Sequence, residues 1–292
     1  MTHIITVGGG KGGTGKSTVA VNVSVLLSEK GYRVLLVDAD VESPVDHMFL
    51  GGSRKRVKDV ISFLPRITNE KCIKCNVCVQ TCPEHALIGL PNSVPKLLEH
   101  LCNGCKKCFY MCPVKAIEEE KRVIGTIYRL SNYGIDLIQG EVLSGVREHI
   151  NVSLKVLDYA QQFFDSYDFV IIDTSPGSGA NVYVALRYAH LSIAVTEPTP
   201  LGVSDLMKFL ELVEKFNIPF IVTINKADLE GGKTKLIYDA VGSNGVFVEI
   251  PYDENLMKAY IRNQPIVIFN RKARSAKALE KLANLTCEYI KP

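Results

Sequence analysis

With 292 residues, 47% of them hydrophobic and 22% charged, the chain has the make-up of an ordinary globular protein, long enough for one large domain or two. A net charge of +3 is too small to argue for a nucleic-acid partner, and no stretch approaches the ~20 apolar residues of a membrane span. The first apolar run breaks at glycines, which argues against a signal peptide, and the expected location is cytoplasmic.

Ile4 to Val7 is a short β-type run, and Gly8 to Thr18 follow as GGGKGGTGKST. Gly10-Lys11-Gly12-Gly13-Thr14-Gly15-Lys16-Ser17 fits the phosphate-loop pattern G-x-x-x-x-G-K-[ST]; a strand precedes it, and Ser17 to Leu27 has helical periodicity. Such glycines let backbone N–H groups close around a polyphosphate, and the helix N-terminus adds its positive dipole end. Gly10 through Thr18 are therefore expected to hold a nucleotide. Lys16 would reach the β- and γ-phosphates, and the Ser17 hydroxyl would face Mg²⁺. Arg33 to Val37 reads as a buried parallel strand, and Asp38 and Asp40 follow at the sheet edge where open α/β folds bind ligands. Taken alone, such acids make turns or cap helices. Arg54-Lys55-Arg56 with Lys58 reads as a solvated loop.

From about Pro65 the composition changes. Cys72, Cys75, Cys78 and Cys82-Pro83 form C-x-x-C-x-x-C-x-x-x-C-P, and each recurs 30 positions later as Cys102, Cys105, Cys108 and Cys112-Pro113. The duplication extends to Ala86/Ala116 and Leu87/Ile117. C-x-x-C pairs also suit tetrahedral zinc, but two complete copies with both prolines favour iron–sulfur clusters in a reducing compartment. Lys71, Lys74, Lys106 and Lys107 lie among the ligands and could offset cluster charge, dock an acidic partner, or simply be solvated.

Beyond this insert, Arg122–Leu130 and Tyr133–Ile138 read as strands and Val152–Phe164 as a helix. Asp168–Asp173 is a buried strand ending in an acid and leading into Thr174-Ser175-Pro176-Gly177. Strands at Ser192–Thr196, Phe220–Asn225 and Val246–Ile250 then alternate with helices at Val203–Phe216, Lys233–Val241 and Asn255–Arg262. That alternation predicts a mostly parallel sheet with helices on both faces. Asn225-Lys226-Ala227-Asp228 matches N-K-x-D, a guanine-reading pattern in GTPases, which keeps GTP open. Ala273–Tyr289 is an amphipathic helix expected to pack in the core rather than anchor to a membrane, and Cys287 on it stands alone.

K-G-G-T-G-K-S-T, with its early Lys11, resembles the deviant Walker A loop of the MinD/Mrp/ParA class of ATPases, which includes the nitrogenase iron protein. The resemblance implies a P-loop NTPase that forms an ATP-dependent homodimer in which Lys11 acts on the partner's nucleotide. It implies that Asp40 activates water, that Asp38 and Asp173 with Ser17 serve Mg²⁺, and that Gly177 senses the γ-phosphate. Asn225, Lys226, Pro251, Tyr252 and Asp253 would form the base site. The cysteine repeat resembles the bacterial two-cluster ferredoxin. That implies one [4Fe–4S] cluster on Cys72, Cys75, Cys78 and Cys112, and a second on Cys82, Cys102, Cys105 and Cys108.

The expected organisation is an ATPase domain over 1–65 and 122–292, with cluster motifs over 63–92 and 93–122. The resemblance points first to an ATPase whose closure on Mg·ATP gates electron transfer to a redox partner. An iron–sulfur or metal-cofactor assembly ATPase is the alternative, and a positioning ATPase of the MinD kind the third. Closed four-cysteine ligation, with no C-x-x-C pair elsewhere, favours electron transfer among them.

Overall fold

In the computed structural model, residues 2–242 and 245–290 are described. Contact clustering divides the chain into two units. The first comprises Met1–Val57, Ile127–Glu141 and Ser153–Pro292, and the second Lys58–Thr126 and Val142–Val152. Beside the boundaries expected from sequence, residues 142–152 group with the cysteine-bearing segment.

Nine strands form one sheet: β1 (His3–Gly8), β2 (Val34–Asp38), β3 (Lys55–Ile67), β4 (Ile117–Asn132), β5 (Ile135–Val142), β6 (Phe169–Asp173), β7 (Leu191–Thr196), β8 (Phe220–Asn225) and β9 (Val246–Ile250). Their order is β9-β8-β7-β1-β6-β2-β5-β4-β3. From β9 to β5 every pairing is parallel, and the register aligns Asp38 with Asp173 and Val7 with Asp173. Of these, β2, β6 and β7 are entirely buried, which explains their near-continuous apolar sequence. β4 and β5 turn at Tyr133-Gly134, both at positive φ as a tight hairpin requires.

Helices cover both faces of the sheet in the first unit. On one, helices Lys16–Glu29 and Arg274–Ile290 bury Val23, Leu27, Leu279 and Leu282 with Ile5, Val7 and Ile193. On the other, helix Pro200–Lys215 buries Leu206, Phe209 and Leu210 with Ala194, Val222 and Ile224. The final helix thus spends its apolar face on the core, although Tyr289, expected on that face, is exposed. Among the described residues no helix is long and apolar enough to cross a membrane.

In the basic run 54–58, Lys55, Arg56 and Lys58 are exposed as expected, but they lie on a strand rather than a loop and Arg54 is half-buried. Arg54 donates to Gln139 Oε1 at 3.1 Å and Glu141 Oε2 at 2.9 Å and covers the Tyr128 ring, and Lys55 already begins β3. Its aliphatic stem and planar head serve packing and pairing together.

The second unit has a small core. Phe63, Leu87 and Ile117 pack with the buried Cys78 and Cys108, and Leu87–Ile88 pairs antiparallel with Lys96–Leu97. The duplication is visible in the backbone. Asn76 and Lys106 share left-handed φ values of 58° and 60°, as do His85 and Lys115 at 50° and 51°.

Candidate functional site

The loop after β1 is shaped by its contacts. Gly15 takes φ 97°, and a Cβ there would lie 2.4 Å from Asn225 Nδ2. Asn225 in turn donates to Thr14 O at 2.8 Å, so an element remote in sequence pins the loop. Gly12, Gly13, Gly15, Lys16, Ser17 and Thr18 line a cavity of about 680 Å³ with Asp40 and Pro176. Gly10 lies against Asp205 and Thr14 is buried; both serve the loop's shape.

Lys16 is 6% exposed and donates to Lys11 O at 2.8 Å. Burial pushes its pKa down, and the nearby Asp173 and Asp40 oppose that shift. Lys11 makes an ion pair with Glu197 Oε1 at 2.6 Å, and Lys226 approaches the other oxygen at 3.4 Å. Burial raises the Glu197 pKa, but the two lysines outweigh it and the net shift is downward. Asp40 accepts from Ser175 Oγ at 3.2 Å, and Gly177 N donates to Gly9 O at 3.1 Å. The segment after β6 is therefore tied both to the phosphate loop and to the expected water-activating acid.

Behind Ser17 lies a carboxylate cluster. Ser17 Oγ donates to Asp173 Oδ2 at 2.5 Å. Asp38 accepts from Asp40 N, Asp46 N and Gln139 Nε2. One ligand oxygen each from Asp38, Asp46 and Asp173 lie within 4.8 Å of one another. Both Asp46 oxygens and Asp173 Oδ1 are buried without a donor. Burial, then the neighbouring carboxylates, raise Asp38 and Asp46 well above the ordinary range; burial brings Asp173 to about 7. Facing acids without donors suit a hard divalent cation bound by oxygen, which supplies the missing positive charge.

The expected base residues come together. Asn225, Lys226, Pro251, Tyr252 and Asp253 line a cavity of about 320 Å³ with Phe49 and Tyr260, and it shares Gly13, Gly15 and Thr18 with the phosphate cavity. The Asp253 carboxylate is engaged in structure, capping helix Glu254–Ile261 through Asn255 N and accepting from Ser275. Asp228 is not on the cavity wall. It accepts from Tyr252 N at 2.6 Å and pairs with Arg274 at 2.7 Å.

In the second unit the cysteines separate into two fours. Cys72, Cys75, Cys78 and Cys112 line one cavity, and Cys82, Cys102, Cys105 and Cys108 line another. No disulfide joins them. Ala86 N and Ala116 N, at matching places in the repeat, point at Cys82 Sγ and Cys112 Sγ from 3.3 and 3.2 Å. Burial pushes the Cys78 and Cys102 thiols up, and the Cys108 thiol to about 12. Four sulfurs around a cavity, with backbone N–H groups aimed at sulfur, suit a cluster whose positive iron offsets that thiolate cost.

Three residues of these sites escape the sequence motifs. Asp46 and Gln139 have no motif spacing. Glu197 stands one residue past a buried strand, the same signal that marks Asp38 and Asp173.

A phosphate loop after the first strand of a parallel sheet defines a P-loop nucleotide-binding protein. The chain belongs to the family described as the CobQ/CobB/MinD/ParA nucleotide binding domain, which matches residues 5–266. An uncharacterised protein of Methanocaldococcus jannaschii is 32% identical to it over 91% of this chain and 92% of that one. An iron–sulfur cluster carrier protein of Aquifex aeolicus is 27% identical over 99% of this chain and 68% of its own length. The septum site-determining protein MinD of Pyrococcus horikoshii, solved with Mg-ADP, shares the fold at TM-score 0.63 and 22% identity, with full coverage of both chains.

Proposed function

We propose that this chain is an ATP-hydrolysing iron–sulfur protein that assembles or carries clusters, closing as a homodimer on Mg·ATP. The observation that carries this reading is the sorting of eight cysteines into two four-cysteine cavities on a chain of this nucleotide-binding family. Similarity to a protein named as a cluster carrier favours delivery over electron gating.

In this reading Lys16 and the Gly12–Thr18 backbone hold the phosphates, and Lys11 of each subunit turns to the other subunit's nucleotide. Ser17 with Asp38 and Asp173 holds Mg²⁺, which supplies charge neutralisation on the phosphates. Asp40, steadied by Ser175, orients the attacking water. Asp228 is engaged by Tyr252 and Arg274, so the base cavity takes adenine without the carboxylate that would read guanine.

A second reading, ATP-gated electron transfer, draws on the four cysteines that each cavity has, since complete ligation suits clusters that stay. One experiment separates the two. Iron-labelled protein is mixed with an iron-free acceptor, with and without ATP. ATP-dependent passage of label supports the carrier, and electron delivery with full retention of label supports the second reading. Zinc in place of iron in anaerobic preparations would defeat both.

A further inference from the structure

The two cysteine sites are copies in backbone but not in chemistry. At the first site the rim residues are Ile73 and Lys74, from the loop between Cys72 and Cys75, and Val114 and Lys115, which follow Cys112-Pro113. Their counterparts 30 positions away at the second site are Asn103, Gly104, Glu84 and His85. Tyr110 and Met111, on the helix that feeds Cys112, correspond to Gln80 and Thr81. Each apolar rim residue of the first site is thus matched by a polar one at the second.

Exposure follows the same division. Ile73 is 62% exposed, Tyr110 74%, Met111 49% and Val114 38%. Ile73 and Val114 line the cavity of Cys72, Cys75, Cys78 and Cys112. Lys74 and Lys115 are exposed and make no ion pair among the described residues, whereas Lys71 is neutralised by Glu118 at 3.2 Å.

The rim of the second site is tied by polar contacts instead, although Cys105 is exposed there just as Cys75 is at the first. Asn103 Nδ2 donates to Glu84 Oε1 at 3.0 Å across its rim. Arg122 donates to the Cys102 carbonyl and pairs with the buried Glu148 at 2.6 Å, and Glu148 also accepts from Ser62. Gly104 must remain glycine here, since a Cβ would lie 2.3 Å from Ser62 Oγ, while Lys74 occupies the equivalent left-handed place at the first site. Lys106 is turned onto Glu119 and the Phe63 ring, which leaves Lys107 as the exposed cation on this side.

Exposed Tyr, Met, Ile and Val on the segments that carry the ligands of the first site, with Lys74 and Lys115 among them, have the composition of a protein interface core with a charged rim. We infer that the rim of the first site is the docking surface for the cluster's partner, an acidic protein with an apolar centre, and that the second site faces no partner. This rests on the iron–sulfur reading of the cysteines.

The test uses the full chain, prepared anaerobically and analysed for iron. Dithionite places one electron on each cluster, and excess reductant is removed. Each electron then passes to one ferric haem of soluble cytochrome b5, an acidic acceptor; basic cytochrome c is the contrast. The rate to cytochrome b5 should fall with ionic strength, and Lys74→Glu with Lys115→Glu should lower it by about tenfold at low salt. The mirror variant His85→Glu with Lys107→Glu should change it by less than about twofold, as should either variant with the uncharged oxidant benzoquinone. Tyr110→Ala, which leaves the charges in place, should slow cytochrome b5 but not benzoquinone. A protein without iron overturns the cluster reading and this surface with it. Intact iron with equal loss in the mirror variant, no loss in the Lys74/Lys115 variant, or faster transfer to cytochrome b5 than to cytochrome c only when the lysines are reversed, overturns the docking surface alone.

Discussion

Lys11 Nζ lies 2.6 Å from Glu197 Oε1, so the lysine expected to serve a neighbouring subunit is held within its own. Closure around ATP must break that pair. Lys11 is about one-third exposed, so the pair is worth on the order of 1 kcal/mol after solvent screening. One such pair is broken in each subunit, about 2 kcal/mol per dimer, so Glu197→Gln should strengthen ATP-dependent dimerisation by about thirtyfold. Sedimentation of the variant against Lys11→Ala, which should not dimerise, checks it. A weaker dimer would mean that Glu197 props the loop rather than restraining it.

Nucleotide choice follows from Asp228. Its carboxylate holds Tyr252 N and Arg274, and Tyr252 walls the base cavity. Titration calorimetry should show ATP bound at least tenfold tighter than GTP. Asp228→Ala should weaken ATP by about fivefold through loss of a charge-assisted hydrogen bond, without improving GTP. Equal binding of the two nucleotides in the unaltered protein would contradict the assignment.

Acidity should stabilise the nucleotide-free protein over one window. Burial raises Asp38 and Asp46 above the usual carboxylate range and Asp173 to about 7, so the folded chain keeps protons there that the unfolded chain releases near pH 4. Stability is then full below about pH 4 for these groups and is lost as pH rises through about 7, by on the order of a few kcal/mol. Urea midpoints from pH 5 to 8 should fall accordingly. Asp46→Asn, or Mg·ATP in the buffer, should flatten the slope. A midpoint that rises with pH in both proteins would refute this account.

Cluster ligation across the repeat can be tested by single substitution. Cys112→Ser should remove the site shared with Cys72, Cys75 and Cys78 and reduce iron from about eight to about four per chain. Cys82→Ser should do the same at the other site. Electron paramagnetic resonance of the reduced variants should then show one isolated cluster in place of two interacting ones. Loss of the cluster nearest in sequence to the changed residue would reverse the pairing.

The central strands were legible because they are buried on both faces and therefore nearly all apolar, as at Phe220–Asn225, whereas the charged strand Lys55–Ile67 was not. The phosphate loop and cysteine repeat were legible because their spacing is local. Asp46 was not, since its place beside Asp38 and Asp173 arises from a five-residue helix that no periodicity marks. Arg54 misled because a charge run gives no hint of an aromatic face waiting for it. N-K-x-D could not be read from the sequence for a different reason, since the partners of the motif's Asp are supplied by Tyr252 and by Arg274 on the last helix.

The left-handed backbone of Lys74, Asn76, His85, Lys106 and Lys115 has a consequence for the life of the protein. Non-glycine residues in that conformation cost roughly 1–2 kcal/mol each, and the surrounding core is no more than a few apolar side chains and two cysteines. Without metal, this unit has little to hold it, while the parallel sheet keeps its own core. Trypsin should cut iron-free protein among Lys71, Lys74 and Lys107 first and leave the remaining fragments associated. Iron loss would then be written into the chain as a nick at one place, so that the age of a molecule could be read from its cleavage pattern.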